Sequence, residues 1–296
     1  MIFCNMASQK GEKYWTCRGR TITFGSPLVM GILNMTPDSF YAESRLPSLS
    51  DALARAQTFW QTGATLIDVG AESTRPGAMP LTPEAECERL IPVLKALRDA
   101  LPEAILSADT RHTLTAKAAL EVGVDVINDV SGCAPDEGML QVIAASGAGY
   151  ILTHATGVAT VNEPLTDVTH CTKTVITDLL AAAQVAQREG VSPAQIMLDP
   201  GLGFGKSAAV SQRLLADTAQ FAALPYPLLV GASRKRFLGD LTGQADATQR
   251  GAASIGAALL AVAAGADVVR VHDVRETIDA LKVFSLLNSN KDNANV

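Results

Sequence analysis

A short apolar run, a turn and then a helical segment recur eight times along this chain of 296 residues. The apolar runs are rich in Val, Ile and Leu without polar alternation, which is typical of strands buried on both faces of a parallel sheet. They are Leu28 to Leu33, Thr65 to Val69, Ile105 to Ala108, Val124 to Ile127, Gly149 to Thr153, Gln195 to Leu198, Pro227 to Val230 and Asp267 to Val271. Helical candidates follow near 49–62, 83–101, 113–122, 136–146, 172–190, 208–222, 248–265 and 274–288. This pattern predicts an α/β fold, a TIM (β/α)8 barrel, rather than an open doubly wound sheet.

The segments before and after the repeats predict two smaller features. Thr16 to Phe24 has the alternation of a short N-terminal β-hairpin, with Arg18-Gly19-Arg20 at its turn, which we expect to plug or flank the barrel. No low-complexity linker divides the chain. We therefore predict an N-terminal segment with the hairpin at 1–27, one (β/α)8 barrel at 28–288, and a disordered tail at 289–296 where Asn, Ser and Lys dominate.

Composition excludes several classes of function. The net charge is −6 and no basic run is interleaved with aromatic residues, which argues against a nucleic-acid partner. No stretch stays apolar for the roughly 18 residues of a membrane span, and Met1 to Met6 is too short for a signal-peptide core. Five cysteines without C-x-x-C spacing argue against a disulfide framework and a structural zinc site. We expect a cytoplasmic protein without a nucleic-acid or membrane partner.

Polar side chains follow nearly every apolar run. The carboxyl ends of barrel strands meet at one face, where active sites of this fold are built. Any single such residue is often only a turn or helix-cap residue, but a set from so many strands converges on one cavity, and this set suits a polar heterocycle bearing phosphates. The residues are Asn34, Thr36, Pro37 and Asp38; Glu72, Ser73, Thr74 and Arg75; Asp109; Asn128 and Asp129; His154; Asp199; Ser233, Arg234 and Lys235; and Arg270 and His272.

Two turns resemble anion-binding loops. Gly201 to Lys206 resembles a phosphate-binding loop, but Pro200 stands where the full pattern needs its first glycine, so the indication of a nucleotide is weak. The dinucleotide fingerprint is absent from the first β-to-α turn, which argues against a nicotinamide oxidoreductase. Gly231 to Arg236 offers backbone amides, a hydroxyl and cations to an anion. The alternative interpretation of that turn is a solvated basic loop.

Several longer motifs occur in order. Gly31 to Phe40 reads GILNMTPDSF and Asp68 to Gly77 reads DVGAESTRPG; SADT (107–110), INDV (127–130), LDPGLGFGK (198–206), SRK (233–235) and RVHD (270–273) follow. Together they resemble the dihydropteroate synthases, a family of pterin-binding enzymes, from Met30 to about Ser285. The resemblance implies a transferase of folate biosynthesis that condenses (7,8-dihydropterin-6-yl)methyl diphosphate with 4-aminobenzoate, giving 7,8-dihydropteroate and pyrophosphate.

The resemblance also implies roles for individual residues. The pterin diphosphate would be bound by Thr74, Arg75, Asp109, Asn128, Asp199, Lys235, Arg270 and His272. Mg²⁺ would bind at Asn34, since an amide oxygen with phosphate oxygens and waters suits this hard cation. The aminobenzoate pocket would consist of Phe40, Pro76, Phe204, Lys235 and Arg236. The catalytic residues would be Asp109, Lys235 and Arg270.

The implied chemistry needs no enzyme nucleophile. In the hypothesis, the C–O bond at the pterin methylene breaks in an SN1-like step before the amine arrives. Asp109 stabilises the resulting cation, while Mg²⁺ and Arg270 hold the diphosphate. The sequence shows no Ser-His-Asp or Cys-His arrangement that would promote covalent catalysis.

The chain also departs from the family pattern. Tyr41 to Ser44 stands where the family often has a glycine-containing stretch, Thr153-His154-Ala155 replaces a more usual pair of methionines around the histidine, and Arg236 stands where some relatives have a small residue. The changes near Phe40 and Arg236 raise the hypothesis of altered sulfonamide sensitivity, because sulfonamides mimic 4-aminobenzoate.

Alternatives remain open at this stage. One is a methyltransferase acting on methyl-tetrahydrofolate, which would not need the cations of a diphosphate clamp; another is an inert pterin-binding barrel. The family resemblance also implies a homodimer. The Ala-rich seventh helix and the apolar Val283, Phe284 and Leu287 of the eighth would supply its surface, although ordinary packing on the barrel explains them equally well.

Overall fold

The computed structural model describes residues 13–35, 48–72, 81–131, 133–156 and 164–292. Within these ranges the strands are β1 (Tyr14–Cys17), β2 (Arg20–Thr23), β3 (Leu28–Asn34), β4 (Leu66–Gly70), β5 (Ile105–Asp109), β6 (Val126–Asp129), β7 (Gly149–Thr153), β8 (Ile196–Asp199), β9 (Leu229–Val230) and β10 (Val268–Val271). The α-helices are α1 (Leu49–Thr62), α2 (Pro83–Ala100), α3 (Thr113–Glu121), α4 (Met139–Ser146), α5 (Cys171–Arg188), α6 (Ala208–Ala216), α7 (Thr218–Ala222), α8 (Arg236–Thr242), α9 (Gly251–Ala263) and α10 (Val274–Asp292).

The eight strands β3 to β10 form one parallel sheet that closes on itself. Their order is β8-β7-β6-β5-β4-β3-β10-β9. A parallel bridge between Leu198 and Leu228 then joins β8 to the chain that leads into β9. The predicted barrel is therefore confirmed, and the carboxyl ends of all its strands meet at one face.

Side chains alternate between the inside and the outside of the barrel along each strand. The innermost apolar layer is Met30, Leu66, Ile105, Val126, Ile151, Met197, Leu229 and Val268. Two residues further along, the inward positions are mostly polar: Asp68, Ser107, Asn128, Thr153, Asp199 and Arg270, with Ile32 on β3. The outward residues pack with the surrounding helices in the large outer core. The barrel is thus apolar at its amino end and polar at its carboxyl end.

The N-terminal hairpin plugs the amino end of the barrel. Trp15 and Cys17 are fully buried in the same cluster as the innermost apolar layer. The Trp15 indole N–H donates to the Gln195 carbonyl at 2.7 Å. The two-residue turn of the hairpin has positive φ at Arg18 (49°) and Gly19 (80°), as the twist of a tight hairpin requires.

Several boundaries differ from the sequence prediction. The predicted helix at 208–222 is broken at Asp217 into α6 and α7, where the Asp217 carboxylate accepts from Thr172 Oγ1 at 2.7 Å. Helix α8 was not predicted, because Gly239 lowers its helix propensity; a Cβ there would lie 2.4 Å from the Gln244 carbonyl oxygen. Helix α10 continues to Asp292, four residues beyond the predicted end of the eighth helix at 288.

No helix among the described residues combines the length and the apolar character that a membrane crossing requires.

Candidate active site

Asp68 is the central acceptor of the polar layer inside the barrel. Its side chain is fully buried on β4 and accepts from Ser107 Oγ at 2.5 Å, from Asn128 Nδ2 at 3.0 Å and from Arg270 Nε at 2.6 Å. A buried carboxylate stays charged only when such donors and a cation surround it. Asp68 therefore fixes the orientation of three neighbours on three other strands.

Arg270 joins two carboxylates. Besides Asp68, its guanidinium donates through Nη2 to Asp109 Oδ2 at 2.5 Å. Burial raises the pKa of Asp109 to about 7, Arg270 opposes that rise, and Asp68 adds to it. Burial lowers the pKa of Arg270, but the same carboxylates together outweigh that effect and raise it, so Arg270 remains a cation at any working pH. The predicted catalytic residues Asp109 and Arg270 are thus in direct contact.

Lys235 approaches the same layer from the loop after β9. Its Nζ lies 3.7 Å from the centroid of the Phe204 ring, a cation–π distance. Its stem passes Gly203, where a Cβ would lie 3.3 Å from Lys235 Cδ. Burial, followed by repulsion from Arg270, lowers the pKa of Lys235 to about 8, and Asp199 and Asp109 oppose this shift.

Asn128 and Asp199 present acceptors in the same layer. Asn128 donates its amide N–H to Asp68, while its Oδ1 is buried and has no hydrogen-bond partner in the described structure. Asp199 Oδ1 accepts from the Gly201 amide at 2.7 Å. Burial raises the pKa of Asp199, and the Gly201 amide and Lys235 oppose the rise. A ring that carries N–H donors would find its acceptors here.

The loop after β9 and the end of β10 hold the predicted phosphate-facing groups. Ser233 Oγ accepts from the His272 backbone N–H at 3.2 Å and lies 3.0 Å from His272 Nδ1. Burial, followed by repulsion from Arg234 and Arg270, lowers the pKa of His272 well below its ordinary value, so the imidazole is neutral.

The cations of the turn from Gly231 to Arg236 have different surroundings. Arg234 forms a two-point ion pair with Asp273, at 2.5 Å from Nη2 and 3.2 Å from Nε. Lys235 turns toward the polar layer. Arg236 begins α8 with 85% of its side chain exposed, and its Nε lies 4.0 Å from Asp240. The structure therefore brings Lys235 into the site but leaves the side chain of Arg236 on the surface.

The loop from Gly201 to Lys206 is held in its conformation by hydrogen bonds from its own lysine. Lys206 Nζ donates to the carbonyl oxygens of His154 (2.8 Å), Gly201 (2.9 Å) and Phe204 (3.2 Å). Gly201 has a φ of 63°, and a Cβ there would lie 1.8 Å from the His154 carbonyl oxygen. Since the ammonium group already has three carbonyl acceptors, this loop lacks the free lysine of a nucleotide-binding loop. Its effect is to hold Phe204 beside Lys235.

Eight of the predicted site residues lie outside the described residues, namely Thr36, Pro37, Asp38, Phe40, Ser73, Thr74, Arg75 and Pro76. Asn34, predicted as the metal ligand, ends β3 half-buried opposite Gly70. Asp68 was not assigned a role from the sequence. The sequence feature that could have revealed Asp68 is a carboxylate at an inward position in the middle of a buried strand.

Comparison with known proteins agrees with this site. The family model described as pterin binding enzyme matches residues 30–272. The chain is 40% identical over 259 residues to a dihydropteroate synthase of Synechocystis sp., with 88% of this chain and 89% of that protein covered. It is 36% identical over 286 residues to the mitochondrial folate synthesis bifunctional protein of Arabidopsis thaliana, covering 92% of this chain and 50% of that protein. It thus spans about half the length of that bifunctional relative.

A solved structure shows the same fold with a bound product. The dihydropteroate synthase of Burkholderia cenocepacia, complexed with 7,8-dihydropteroate, superposes with a TM-score of 0.86 at 38% identity. The match covers 95% of this chain and 99% of that one. The chain therefore belongs to the pterin-binding enzyme family and, within it, to the dihydropteroate synthases.

Proposed function

We propose that this chain condenses (7,8-dihydropterin-6-yl)methyl diphosphate with 4-aminobenzoate, giving 7,8-dihydropteroate and pyrophosphate in folate biosynthesis. The observation that carries the proposal is the buried polar layer at the carboxyl face of the barrel, where Arg270 binds both Asp68 and Asp109. The complex of the Burkholderia cenocepacia relative with 7,8-dihydropteroate supports it.

The pterin ring is held by Asp109, Asn128, Asp199 and Lys235. The ring carries an amino group and ring N–H groups, for which the two carboxylates and the free Asn128 Oδ1 are acceptors. It also carries acceptors, which suit the Lys235 ammonium. Asn128 and Asp199 are buried, and Asp109 and Lys235 are half-buried, so water competes little for their hydrogen bonds.

The diphosphate lies against Arg270 and His272, with Thr74 and Arg75 as further predicted contacts. Arg270 carries more donors than its two carboxylates use. His272, neutral in the free protein, has its Nδ1 beside Ser233, so its other ring nitrogen is available to a ligand. A leaving group that carries several negative charges is stabilised by such donors.

The residues present fit a bound Mg²⁺ at Asn34. The described residues hold no group of three or more His, Cys, Asp or Glu side chains that would bind a metal on their own. Mg²⁺ commonly takes one or two protein oxygens and completes its shell with phosphate oxygens and waters, so one amide oxygen at a strand end suffices. When bound, the ion would neutralise charge on the diphosphate.

The bond changes then follow from the arrangement of charges. The C–O bond at the pterin methylene breaks, and its electron pair leaves with the diphosphate. Asp109 stabilises the pterin cation, and the amine of 4-aminobenzoate forms the new C–N bond and releases one proton to water. Phe204 and Lys235 form one wall of the aminobenzoate pocket. Phe40, Pro76 and Arg236 remain predicted residues of the pocket.

The test is pyrophosphate release by the purified protein with the pterin diphosphate and Mg²⁺, with and without 4-aminobenzoate. We expect release that depends on 4-aminobenzoate, with 7,8-dihydropteroate formed, and loss of turnover in Asp109→Asn. Pterin binding without release would contradict the proposal and favour the methyltransferase or the inert barrel.

The pKa shifts predict a bell-shaped pH profile of kcat/KM. As the pH rises through about 7, Asp109 loses its proton and gains the charge that stabilises the pterin cation, so the rate rises. As it rises through about 8, Lys235 loses its charge, so the rate falls. Lys235→Arg should remove the alkaline limb because arginine does not titrate there, whereas Lys282→Arg on the surface should leave both limbs. If the alkaline limb persists in Lys235→Arg, a group other than Lys235 causes it.

Three further features remain proposals. We infer a homodimer in which Val283, Phe284 and Leu287 of α10 take part, with Val283 65% exposed and the neighbouring Leu286 63% exposed. We infer a reducing cytoplasm because Cys17, Cys87, Cys133 and Cys171 are free thiols, Cys4 lying outside the described residues. Altered sulfonamide sensitivity would show as a sulfonamide inhibition constant that does not parallel the affinity for 4-aminobenzoate.

A further inference from the structure

Thr153 ends β7 with a hydroxyl that has no partner in the described structure. Its side chain is fully buried, and Oγ1 makes no hydrogen bond. A threonine hydroxyl can both donate and accept, and nearly all buried hydroxyls find a partner. An unpaired one in a fully buried position therefore requires an explanation, such as a ligand that is absent from the free protein.

The strand places this side chain inside the barrel. Ile151, two residues earlier, belongs to the innermost apolar layer, whereas Leu152 belongs to the outer core. Thr153 pairs with Asp199 of β8, which also faces inward. A Cβ on Gly201 would lie 3.2 Å from Thr153 Cγ2, so the methyl group packs against the turn that follows Asp199. The hydroxyl occupies the other branch of the side chain.

The neighbouring strand has a matching unpaired atom. Asn128 on β6 has a buried Oδ1 with no partner, and its register partner on β7 is Ile151. The two unpaired atoms do not satisfy each other, although they lie on adjacent strands in the same polar layer. One is an acceptor only and the other is able to donate, which is complementary to a ring edge with an N–H group and a lone pair.

Donors are scarce in this layer. Ser107 Oγ and Asn128 Nδ2 both donate to Asp68, and Arg270 donates to Asp68 and Asp109. Asp109 and Asp199 contribute acceptors when ionised. In the proposed function the remaining Arg270 donors serve the diphosphate. A pterin ring has acceptor atoms as well as N–H groups, so Lys235 alone would leave some of these acceptors without a donor.

We propose that Thr153 is a specificity-determining residue of the pterin site, whose hydroxyl donates to an acceptor atom of the dihydropterin ring while Asn128 Oδ1 accepts from an N–H group of the same ring. This rests on the proposed function, since it requires a pterin in the barrel. The bound ring supplies the partners that both buried atoms lack in the free protein.

The test compares Thr153→Val, which removes the hydroxyl at nearly constant shape, with Thr153→Ser, which keeps it. Binding of the pterin diphosphate is measured by calorimetry, KM for 4-aminobenzoate by pyrophosphate release, and stability by thermal melting.

Thr153→Val should bind the pterin diphosphate about tenfold more weakly, which corresponds to one lost hydrogen bond. Its KM for 4-aminobenzoate should be unchanged and its Tm equal or higher, because an unpaired polar group has been removed. Thr153→Ser should bind nearly as the parent does.

Thr218→Val is the matched control. Thr218 is 1% exposed, but its hydroxyl donates to the Leu215 carbonyl at 2.7 Å, outside the barrel. We expect a lower Tm and unchanged pterin affinity. Parent-like affinity in Thr153→Val overturns the role of the hydroxyl while leaving the proposed function intact. A lowered Tm with equal losses for both substrates also overturns it, since packing then explains the effect. A parent protein that fails to bind the pterin overturns both.

Discussion

Replacing Arg270 with Met is expected to lower turnover by roughly 10³-fold, the scale found when a preorganised charge donor is removed from an active site. Arg270 is the cation shared by Asp68 and Asp109, with contacts of 2.6 and 2.5 Å. Met preserves much of the side-chain volume but none of the donors. The diphosphate would lose a charged contact, and Asp109 would lose the group that holds it in place.

The same substitution should also destabilise the fold. Asp68 and Asp109 would share the barrel without their cation, and breaking a buried pair from one side typically costs about 3–5 kcal/mol. Without Arg270, the pKa of Asp109 would rise further, because burial and Asp68 already raise it. We therefore expect an acid-shifted stability optimum, since protonation of a carboxyl group would relieve the unpaired charge. Urea denaturation at several pH values measures it.

Arg213→Met is the matched control for this prediction. Arg213 also forms an ion pair with an aspartate, Asp217, at 2.7 Å, but 53% of its side chain is exposed. Its loss should cost no more than about 1 kcal/mol and leave turnover unchanged, because solvent screens such pairs. Turnover of Arg270→Met within tenfold of the parent would contradict the central role of Arg270.

The repeating pattern predicted the barrel because each strand is buried on both faces and each helix is amphipathic. What the pattern did not predict were features decided by contacts distant in sequence. Strand β9 has only two residues, and closure of the barrel there depends on the bridge from Leu198 to Leu228. Helix α8 was missed because Gly239, which close packing against Gln244 requires, resembles a helix breaker.

The candidate site was predicted in part for the same reason. Asp109, Asn128, Asp199 and Arg270 were found because the carboxyl ends of barrel strands converge, and the structure brings them together with Lys235. Asp68 was missed because its importance depends on three donors from other strands, which no local pattern contains. The phosphate-loop resemblance of Gly201 to Lys206 could be resolved only by seeing where the lysine donates.

Replacing Asp68 with Asn should distinguish the positioning role of this carboxylate from the roles of the residues that contact the substrates. Asn keeps the shape but loses the charge, and its amide would place a donor where Asn128 and Arg270 already donate. We expect a loss of about 3–5 kcal/mol in the free energy of unfolding. Turnover should fall roughly 10²-fold although Asp68 is fully buried beneath the site, because Arg270 and Asn128 would no longer be held in place.

Asp125→Asn distinguishes mispositioning from general destabilisation. Asp125 is also buried (5% exposed), pairs with Arg98 at 2.5 Å and accepts from the Leu106 amide at 3.0 Å, but it lies outside the polar layer of the barrel. Its replacement should lower stability by a comparable amount, measured by urea denaturation, and leave kcat unchanged under conditions where the variant is folded. If the two variants lost activity in parallel with stability, Asp68 would be a fold residue only. A kcat loss confined to Asp68→Asn would show that the carboxylate at the centre of the barrel holds the pterin- and diphosphate-binding groups in their working positions.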